Sequence, residues 1–499
     1  MSAAPAPRTL AELGAGFAAL PAGVTVSELT LDSRAVTPGA LFLACRGGTQ
    51  HGLAHAPEAA ARGARAVLYE SEGAGVPPVL PAGIFVAPVP QLAEHAGVIA
   101  ARFFGEPSRQ LTIAGITGTN GKTTCAWLLA QSLQHCGQRA AYMGTLGVGL
   151  PPQLSATLHT TSDAVTVQRQ LAQLRAAGAA WVGMEVSSHA LQQARVNGVR
   201  FRTAVFTNLT RDHLDYHGSM ASYGAAKARL FGWPELAQRI VNFDDPFGRQ
   251  LAKAAGAPLI LTARQGGTLP ADARFVCARR VRPEPAGLLI EVHSSWGDAQ
   301  LPVRLVGEFN VDNALAVLAV LLAWDIPLDS AVRALAKSRA ASGRMEMFGG
   351  RGRTPLAIVD YAHTPDALAN ALRAARLHCR GALRLVFGCG GDRDPGKRPL
   401  MGRIAAELAD DVIVTDDNPR SEDPAGIVAQ ILAGMGARTP HVVEHDRALA
   451  IRLALERSGA DDVVLIAGKG HEAYQLIGSE RREFRDQAVV SEELARLPA

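Results

Sequence analysis

Short apolar runs that end in polar, glycine-bearing clusters recur along the chain, separated by stretches of helical spacing. The first run is 40–44. It follows the polar segment Leu31-Asp32-Ser33-Arg34 and leads through a glycine turn, Arg46-Gly47-Gly48, into a helical stretch over 54–62 and a strand over 64–69. That order predicts a small α/β unit. A new unit opens near Phe103. Its strand over 111–117 runs into a glycine loop and an amphipathic helix over 123–135, which Gly137 stops. Strands follow at 181–186 and 203–207, both ending in polar clusters. Residues 256–305, richer in Pro, Gly and Arg, predict a β-rich insertion, and a helix over 311–324 closes the unit. From near Gly343, strands at 356–359, 383–387, 412–415 and 463–467 alternate with helices at 365–378, 399–409, 424–434 and 447–458.

Alternating strands and helices predict mainly parallel sheets, so the fold class is α/β in three domains. Residues 1–100 form a small N-terminal α/β domain, 101–340 a central phosphate-loop domain and 341–499 a Rossmann-like, doubly wound domain. In such sheets ligands sit at the carboxyl ends of the strands. In the last domain the polar residues collect there, at 360–364, 388–397, 416–420 and 468–472.

Composition removes several classes. The chain has 499 residues, 48% hydrophobic and 19% charged, which fits a globular protein and not a disordered one. The net charge of +4, from 50 basic and 46 acidic residues, is a small excess with no clustered basic stripe, so no nucleic-acid partner is expected. The longest apolar run, 314–324, is too short for a bilayer, and the N-terminus has no signal-peptide pattern. Six scattered cysteines without a CxxC pair point to a reducing cytoplasm.

The strongest motif is Gly115-Ile116-Thr117-Gly118-Thr119-Asn120-Gly121-Lys122-Thr123-Thr124, set between a strand and a helix as a phosphate loop must be. Its glycines let backbone N–H groups converge on phosphate oxygens at a helix N-terminus. Lys122 would neutralise the β/γ-phosphates and the Thr123 hydroxyl would ligate Mg²⁺. The strict spacing fails by one place, because Ile116 holds the first glycine position. Glu185 ends the 181–186 strand, where a carboxylate can reach a metal held by that loop. His213 lies just past the next strand. With His217 it has the spacing of a zinc pair, but no glutamate follows it and no third ligand is evident; a satisfied structural histidine is the plain alternative. Lys227, alone among small residues, reads locally as a solvated side chain. Asp417-Asn418-Pro419-Arg420, Gly390-Gly391-Asp392-Arg393 and Gly468-Lys469-Gly470-His471-Glu472 each follow a strand. Any one could be a plain turn; three at equivalent ends of one sheet point to a shared site. Arg420 suits a bidentate grip on a carboxylate.

With these pieces together the sequence resembles the Mur ligases, over nearly its whole length. The matching stretches are Leu31 to Arg34, the phosphate loop, Met184 to His189, Phe206 to Gly218, Gly343 to Glu346, Val359 to Leu368, Gly388 to Gly402, Thr415 to Arg420 and Ala467 to Gln475. Asp417-Asn418-Pro419-Arg420 is similar to the branch that adds meso-diaminopimelate, because the lysine-adding branch lacks the arginine. The resemblance implies an ATP-dependent ligase of peptidoglycan precursor synthesis: ATP phosphorylates the D-glutamate carboxylate of UDP-N-acetylmuramoyl-L-alanyl-D-glutamate, and an amine of meso-diaminopimelate displaces the phosphate. It implies catalytic roles for Lys122, Lys227 and His213. Thr123, Glu185, His213 and Lys227 would be metal partners, Lys227 as the carbamate formed with CO₂. ATP would be held by Gly118, Thr119, Asn120, Gly121, Lys122, Thr123 and Thr124, with Asn310, Asn313, Arg344 and Asp360. The nucleotide-sugar dipeptide would lie on Leu31, Ser33, Gly48, Thr49 and Gln50 and on His159, Thr160, Thr161, Ser187, Gln193 and Arg195. Diaminopimelate would meet Arg393, Asp417, Asn418, Pro419, Arg420, Gly468 and Glu472. A cytoplasmic monomer without a membrane partner is expected.

Two rivals stay open on the sequence. One is a different ligase of the superfamily, lysine-adding or folylpolyglutamate-type, which Arg420 weighs against. The other is a phosphate-loop NTPase acting as a switch or motor, which leaves Asp417 to Arg420 without a purpose.

Overall fold

Apolar strands and the helices covering them divide the chain into two units, Met1–Leu261 and Thr262–Ala499. The structure, a computed structural model, describes residues 6–48, 50–254, 256, 258–264, 269–270, 273–284, 287–350, 352–436 and 441–497.

Besides a two-stranded pair, Arg8–Thr9 with Thr25–Val26, the first unit holds a small sheet and a larger one. A parallel sheet runs Glu28–Thr30, Ala40–Ala44, Ala66–Glu70 and Phe85–Val89, in chain order. Every residue of Ala40–Ala44 is buried because both faces are covered. Leu41 and Leu43 pack with helix Leu92–Phe103, while Phe42 and Ala44 pack with Ala56 and Ala59. The helix expected over 54–62 is a 3₁₀ turn, Gly52–His55, that continues as helix Ala56–Ala61. Pro57 falls in its first turn, where no N–H is needed. Strand Phe85–Val89 escaped the sequence reading: it carries Pro88 and is mostly half-buried, as edge strands are.

As far as Asn242, the larger sheet runs in the order Gln153–Ser155, Gly147–Leu150, Ala140–Gly144, Trp181–Glu185, Thr112–Thr117, Thr203–Phe206 and Gln238–Asn242. From Ala140–Gly144 onward its strands are parallel, as expected. Strand Thr112–Thr117 lies centrally, so the glycine loop after it, Glu185 and Thr207 share one edge. Strand Ala140–Gly144 is fully buried yet built from Ala, Tyr, Met and Gly, without the β-branched residues that mark strands.

In the second unit the β-rich insertion is an antiparallel ladder of Arg274–Glu284, Gly287–Ser294 and Gly297–Val303. Helix Phe309–Ala323 is buried along most of its length. A six-stranded sheet follows in the order Glu346–Gly349, Leu356–Asp360, Val463–Ala467, Leu383–Phe387, Asp411–Val414 and His441–Val443. All but the first strand are parallel. Ile358, Leu385 and Leu465 face helices Pro365–Arg376, Lys397–Leu408 and Pro424–Met435, while Val359, Val386 and Ile466 face helices Arg447–Glu456 and Asp486–Arg496. Alternation along each strand thus makes the sheet doubly wound. Among the described residues no helix is long and apolar enough to cross a membrane.

One ion pair ties that second face together. Arg447 Nε and Nη2 donate to Asp486 Oδ1 and Oδ2 at 2.7 and 2.8 Å, both side chains fully buried, and Nη2 also reaches the Ala467 carbonyl at 3.1 Å. Removing one partner strands the other charge without water. Asp486→Ala is expected to cost about 3–5 kcal/mol in a denaturant titration; a loss under about 1 kcal/mol would show that the pair is dispensable.

Candidate active site

The glycine loop is closed around its own lysine. Gly118 has φ +155°, and a Cβ there would lie 1.8 Å from Thr207 Oγ1, so only glycine lets the loop pass that strand end. Gly121, at φ +85°, turns the chain into helix Lys122–His135. Lys122 Nζ donates to the Gly118 and Thr119 carbonyls at 2.9 and 2.8 Å. The Asn120 N–H donates to Asn208 Oδ1 at 2.9 Å, which fixes the loop to the 203–206 strand end. Thr124 lies in the first turn of that helix.

Glu185 is 1% exposed and fully engaged. Its Oε1 accepts from Tyr142 Oη and from the Thr145 N–H (2.9 Å), and its Oε2 accepts from Thr123 Oγ1 (2.9 Å). A carboxylate and a hydroxyl paired at the mouth of a phosphate loop are hard oxygen donors, a set that fits Mg²⁺. His213 stands apart. Its ring is about half exposed, lies 3.5 Å from Asp212 and stacks edge-on with His189, and among the described residues no hydrogen bond joins it to Thr123, Glu185 or Lys227. It also takes a left-handed backbone, φ +52°.

Lys227 overturns the reading of a solvated side chain. It is 1% exposed; its Nζ donates to the Gly118 carbonyl at 2.7 Å and sits 4.3 Å above the Tyr223 ring. Burial, then the charge of Lys122, lowers its pKa to about 6. Tyr223 Oη in turn donates to Thr119 Oγ1 at 3.3 Å.

Beside Glu185 a small cavity is lined by Met143, Gly144, His159, Thr160 and Thr161. Thr161 Oγ1 donates to the Glu185 carbonyl (3.0 Å) and accepts from the Ser187 N–H (3.2 Å). Arg195 reaches the Thr161 carbonyl at 3.0 Å and the Gln193 amide oxygen at 2.9 Å. The expected dipeptide contacts are therefore one hydrogen-bonded group. The residues expected to meet the nucleotide lie in turns beside the N-terminal sheet: Ser33 Oγ donates to Glu58 at 2.7 Å, Leu31 packs on the core, and Gly48 and Gln50 are exposed. Thr49 lies outside the described residues.

In the second unit, Asn310 and Asn313 are buried in the first turns of their helix. Asn313 Nδ2 donates to Asn310 Oδ1 and Asn310 Nδ2 to the Val306 carbonyl, each at 2.8 Å. Asp360 accepts from the Met345 and Ala362 N–H groups at 2.8 and 2.9 Å, and burial raises its pKa. The Arg344 guanidinium lies 5.1 Å over the Tyr361 ring. At the neighbouring strand ends, Arg420 has φ +55° and is clamped at both sides, its N–H to the Leu476 carbonyl (3.0 Å) and its carbonyl from the Gly478 N–H (2.7 Å). Its Nη1 donates to the Gly391 carbonyl at 2.6 Å. Asp417, Asn418 and Pro419 are buried, Arg393 is exposed, and Asn418 Nδ2 donates to Glu472 Oε2 at 2.8 Å. Gly468, at φ +115°, lies where a Cβ would be 3.2 Å from Asp417 Oδ2.

The chain matches three family descriptions: "Mur ligase family, catalytic domain" over 25–104, "Mur ligase middle domain" over 116–321 and "Mur ligase, glutamate ligase domain" over 343–470. The chain belongs to the Mur ligase family. Two relatives of this Mur ligase are named UDP-N-acetylmuramoyl-L-alanyl-D-glutamate–2,6-diaminopimelate ligase. That of Ectopseudomonas mendocina (strain ymp) is 49% identical, covering 95% of this chain and 96% of its own. That of Alkalilimnicola ehrlichii is 50% identical, covering 94% and 95%. A solved structure of a ligase with the same name is 35% identical, with a TM-score of 0.73 over 98% of this chain and 99% of the other.

Sequence reasoning missed several residues that build this Mur ligase's sites. Tyr142 and Thr145 hold Glu185, and the only hint was a polar Thr145 after an unrecognised strand. Asn208 holds the loop, from a polar cluster read for its histidine. Lys469, within a quoted motif, received no role, although its Nζ is buried against Asp417, Asn418 and Glu472.

Lys122 donates to two loop carbonyls, which phosphate oxygens can replace. Lys122→Met is expected to weaken ATP binding by roughly tenfold or more, with melting temperature nearly unchanged. Fluorescent-nucleotide titration checks it; wild-type affinity would remove the lysine from the nucleotide site.

Proposed function

We infer that this Mur ligase uses ATP to join meso-diaminopimelate to UDP-N-acetylmuramoyl-L-alanyl-D-glutamate in cytoplasmic peptidoglycan precursor synthesis. The observation that carries the reading is the loop at 417–420: an arginine that reaches the Gly391 carbonyl, and beside it two acids, buried Asp417 and half-buried Glu472, both in contact with the Lys469 ammonium. That arrangement suits an amino acid, whose carboxylate and ammonium lie close together. The names of the near-full-length relatives support the same substrates.

A free carboxylate is a poor acyl donor. Transfer of the γ-phosphate converts it into an acyl phosphate, and the amine then expels phosphate through a tetrahedral intermediate. Both reacting groups are anionic at the outset, so cations must screen them before they meet. Lys122 supplies a positive charge, and the N-terminus of helix Lys122–His135 would supply its dipole to the phosphates. Mg²⁺, when bound, would neutralise phosphate charge without proton transfer. Thr123 and Glu185 would hold it, with Lys227 as its carbamate and His213 at the margin. Thr160, Thr161, Ser187, Gln193 and Arg195 would orient the D-glutamate carboxylate beside Glu185, where His159 also lies. Leu31, Ser33, Gly48, Thr49 and Gln50 would hold the uridine nucleotide. Asn310, Asn313, Arg344 and Asp360 would complete the ATP site. The reading keeps the division 1–100, 101–340 and 341–499, and a monomer.

Carbamate formation needs a neutral amine. A pKa of about 6, below the ordinary lysine value, leaves Lys227 neutral above that pH and protonated below it. In ¹³C-bicarbonate, a carbamate NMR signal is expected at about pH 7.5 and not at about pH 5. It should vanish in Lys227→Arg; a signal that survives that substitution would place the modification elsewhere.

Phosphate release with ATP, Mg²⁺ and the nucleotide-sugar dipeptide should depend on meso-diaminopimelate and respond weakly to L-lysine or L-ornithine. Turnover independent of the amine would refute the ligase reading. Arg420→Ala should raise the KM for meso-diaminopimelate roughly 10–100-fold and leave that for ATP within about twofold; an unchanged KM would move the amino-acid site.

A further inference from the structure

Lys469 has no exposed surface, yet it ends among charged groups. Its Nζ lies 3.1 Å from Asn418 Oδ1, 3.4 Å from Glu472 Oε2 and 3.5 Å from Asp417 Oδ1, with the Tyr474 ring centroid at 5.9 Å. Gly468 and Gly470, on either side, both have positive φ, +115° and +51°, so the chain folds over on itself at this residue. Each contact fixes an orientation. Asn418 Oδ1 accepts from Lys469 and from the Leu476 N–H (2.9 Å), which obliges its Nδ2 to turn to Glu472. Both donors to the Glu472 carboxylate meet Oε2, and among the described residues no hydrogen bond is made to Oε1. Asp417 is 6% exposed, and among the described residues the long contact from Lys469 is the one hydrogen bond its carboxylate receives. A buried carboxylate with a single weak donor is under-satisfied and calls for another.

The charges count the same way. Arg447 is committed to Asp486 by two short hydrogen bonds. Its charge still reaches Asp417 and Glu472 through space, and Lys469 is the cation in direct contact with them, one ammonium against two carboxylates among the described residues.

We propose that Lys469 is the positioning residue of the amino-acid pocket: its ammonium sets Asp417, Asn418 and Glu472 in the orientations that receive one substrate ammonium, and its single charge limits the pocket to one. The inference rests on the amino-acid site read at 417–420. Lys469 touches no reacting atom in this scheme; it acts through the three side chains that do the holding.

The test is steady-state phosphate release by the full chain with each of the three substrates varied. Lys469→Met keeps the length of the side chain and removes the charge. The KM for meso-diaminopimelate is expected to rise about tenfold or more, while the KM values for ATP and the nucleotide-sugar stay within about twofold and kcat falls less than the KM rises. Lys469→Arg, which restores a cation, should recover part of that loss. Asn418→Ala combined with Lys469→Met should cost less than the sum of the two alone, since both act on Glu472. If Lys469→Met does not fold, Lys469→Gln carries the same expectation. An unchanged KM for diaminopimelate in an active variant, or an equal rise in all three KM values, would overturn the positioning role while leaving the ligase reading intact. A wild-type enzyme with no diaminopimelate-dependent turnover would overturn both.

Discussion

A charge taken out of water must meet an opposite charge, a set of hydrogen bonds, or lose its charge. Parallel sheets make that demand acute, because every strand ends at one edge and the loops there are packed by their neighbours. The central sheet meets it in two ways. Glu185 stays with donors on every side: Tyr142, the Thr145 N–H and Thr123. Lys227 has a carbonyl and a ring face and is pushed toward the neutral amine. Both residues meet the glycine-loop region, Glu185 through the Thr123 hydroxyl and Lys227 through the Gly118 carbonyl.

The six-stranded sheet meets the same demand with ion pairs. Its chain order matters: strand Val463–Ala467, late in the sequence, lies between Leu356–Asp360 and Leu383–Phe387. That insertion brings the 468–472 loop beside the loops that follow 360 and 387, and the loop after Val414, one strand further on, supplies Asp417 to Lys469. Arg447 and Asp486, from the helices on one face, neutralise each other beneath the Ala467 carbonyl. As a pair they carry no net charge, although each still acts through space on Asp417.

Strained backbone marks both places. Gly118 adopts a conformation that its contact with Thr207 reserves for glycine. Arg420 and His213, which are not glycines, also sit in the left-handed region. For Arg420 the surrounding hydrogen bonds to 476 and 478 account for it; such over-determined positions are where binding loops store their geometry.

The sequence by itself determined whatever is encoded within a few consecutive residues. The phosphate loop, the strands rich in β-branched residues, the buried 309–323 helix and the arginine after Pro419 were all legible, since each depends on local spacing and side-chain type. Strand Ala140–Gly144 was not, because small residues in a strand declare themselves only through what covers them. The burial of Lys227, the donors that hold Glu185 and the role of Lys469 lay further out of reach. Each depends on groups tens of residues away in the chain, and whether a lysine is solvated, neutral or locked in an ion pair is set by distance and exclusion of water, which only the tertiary structure decides.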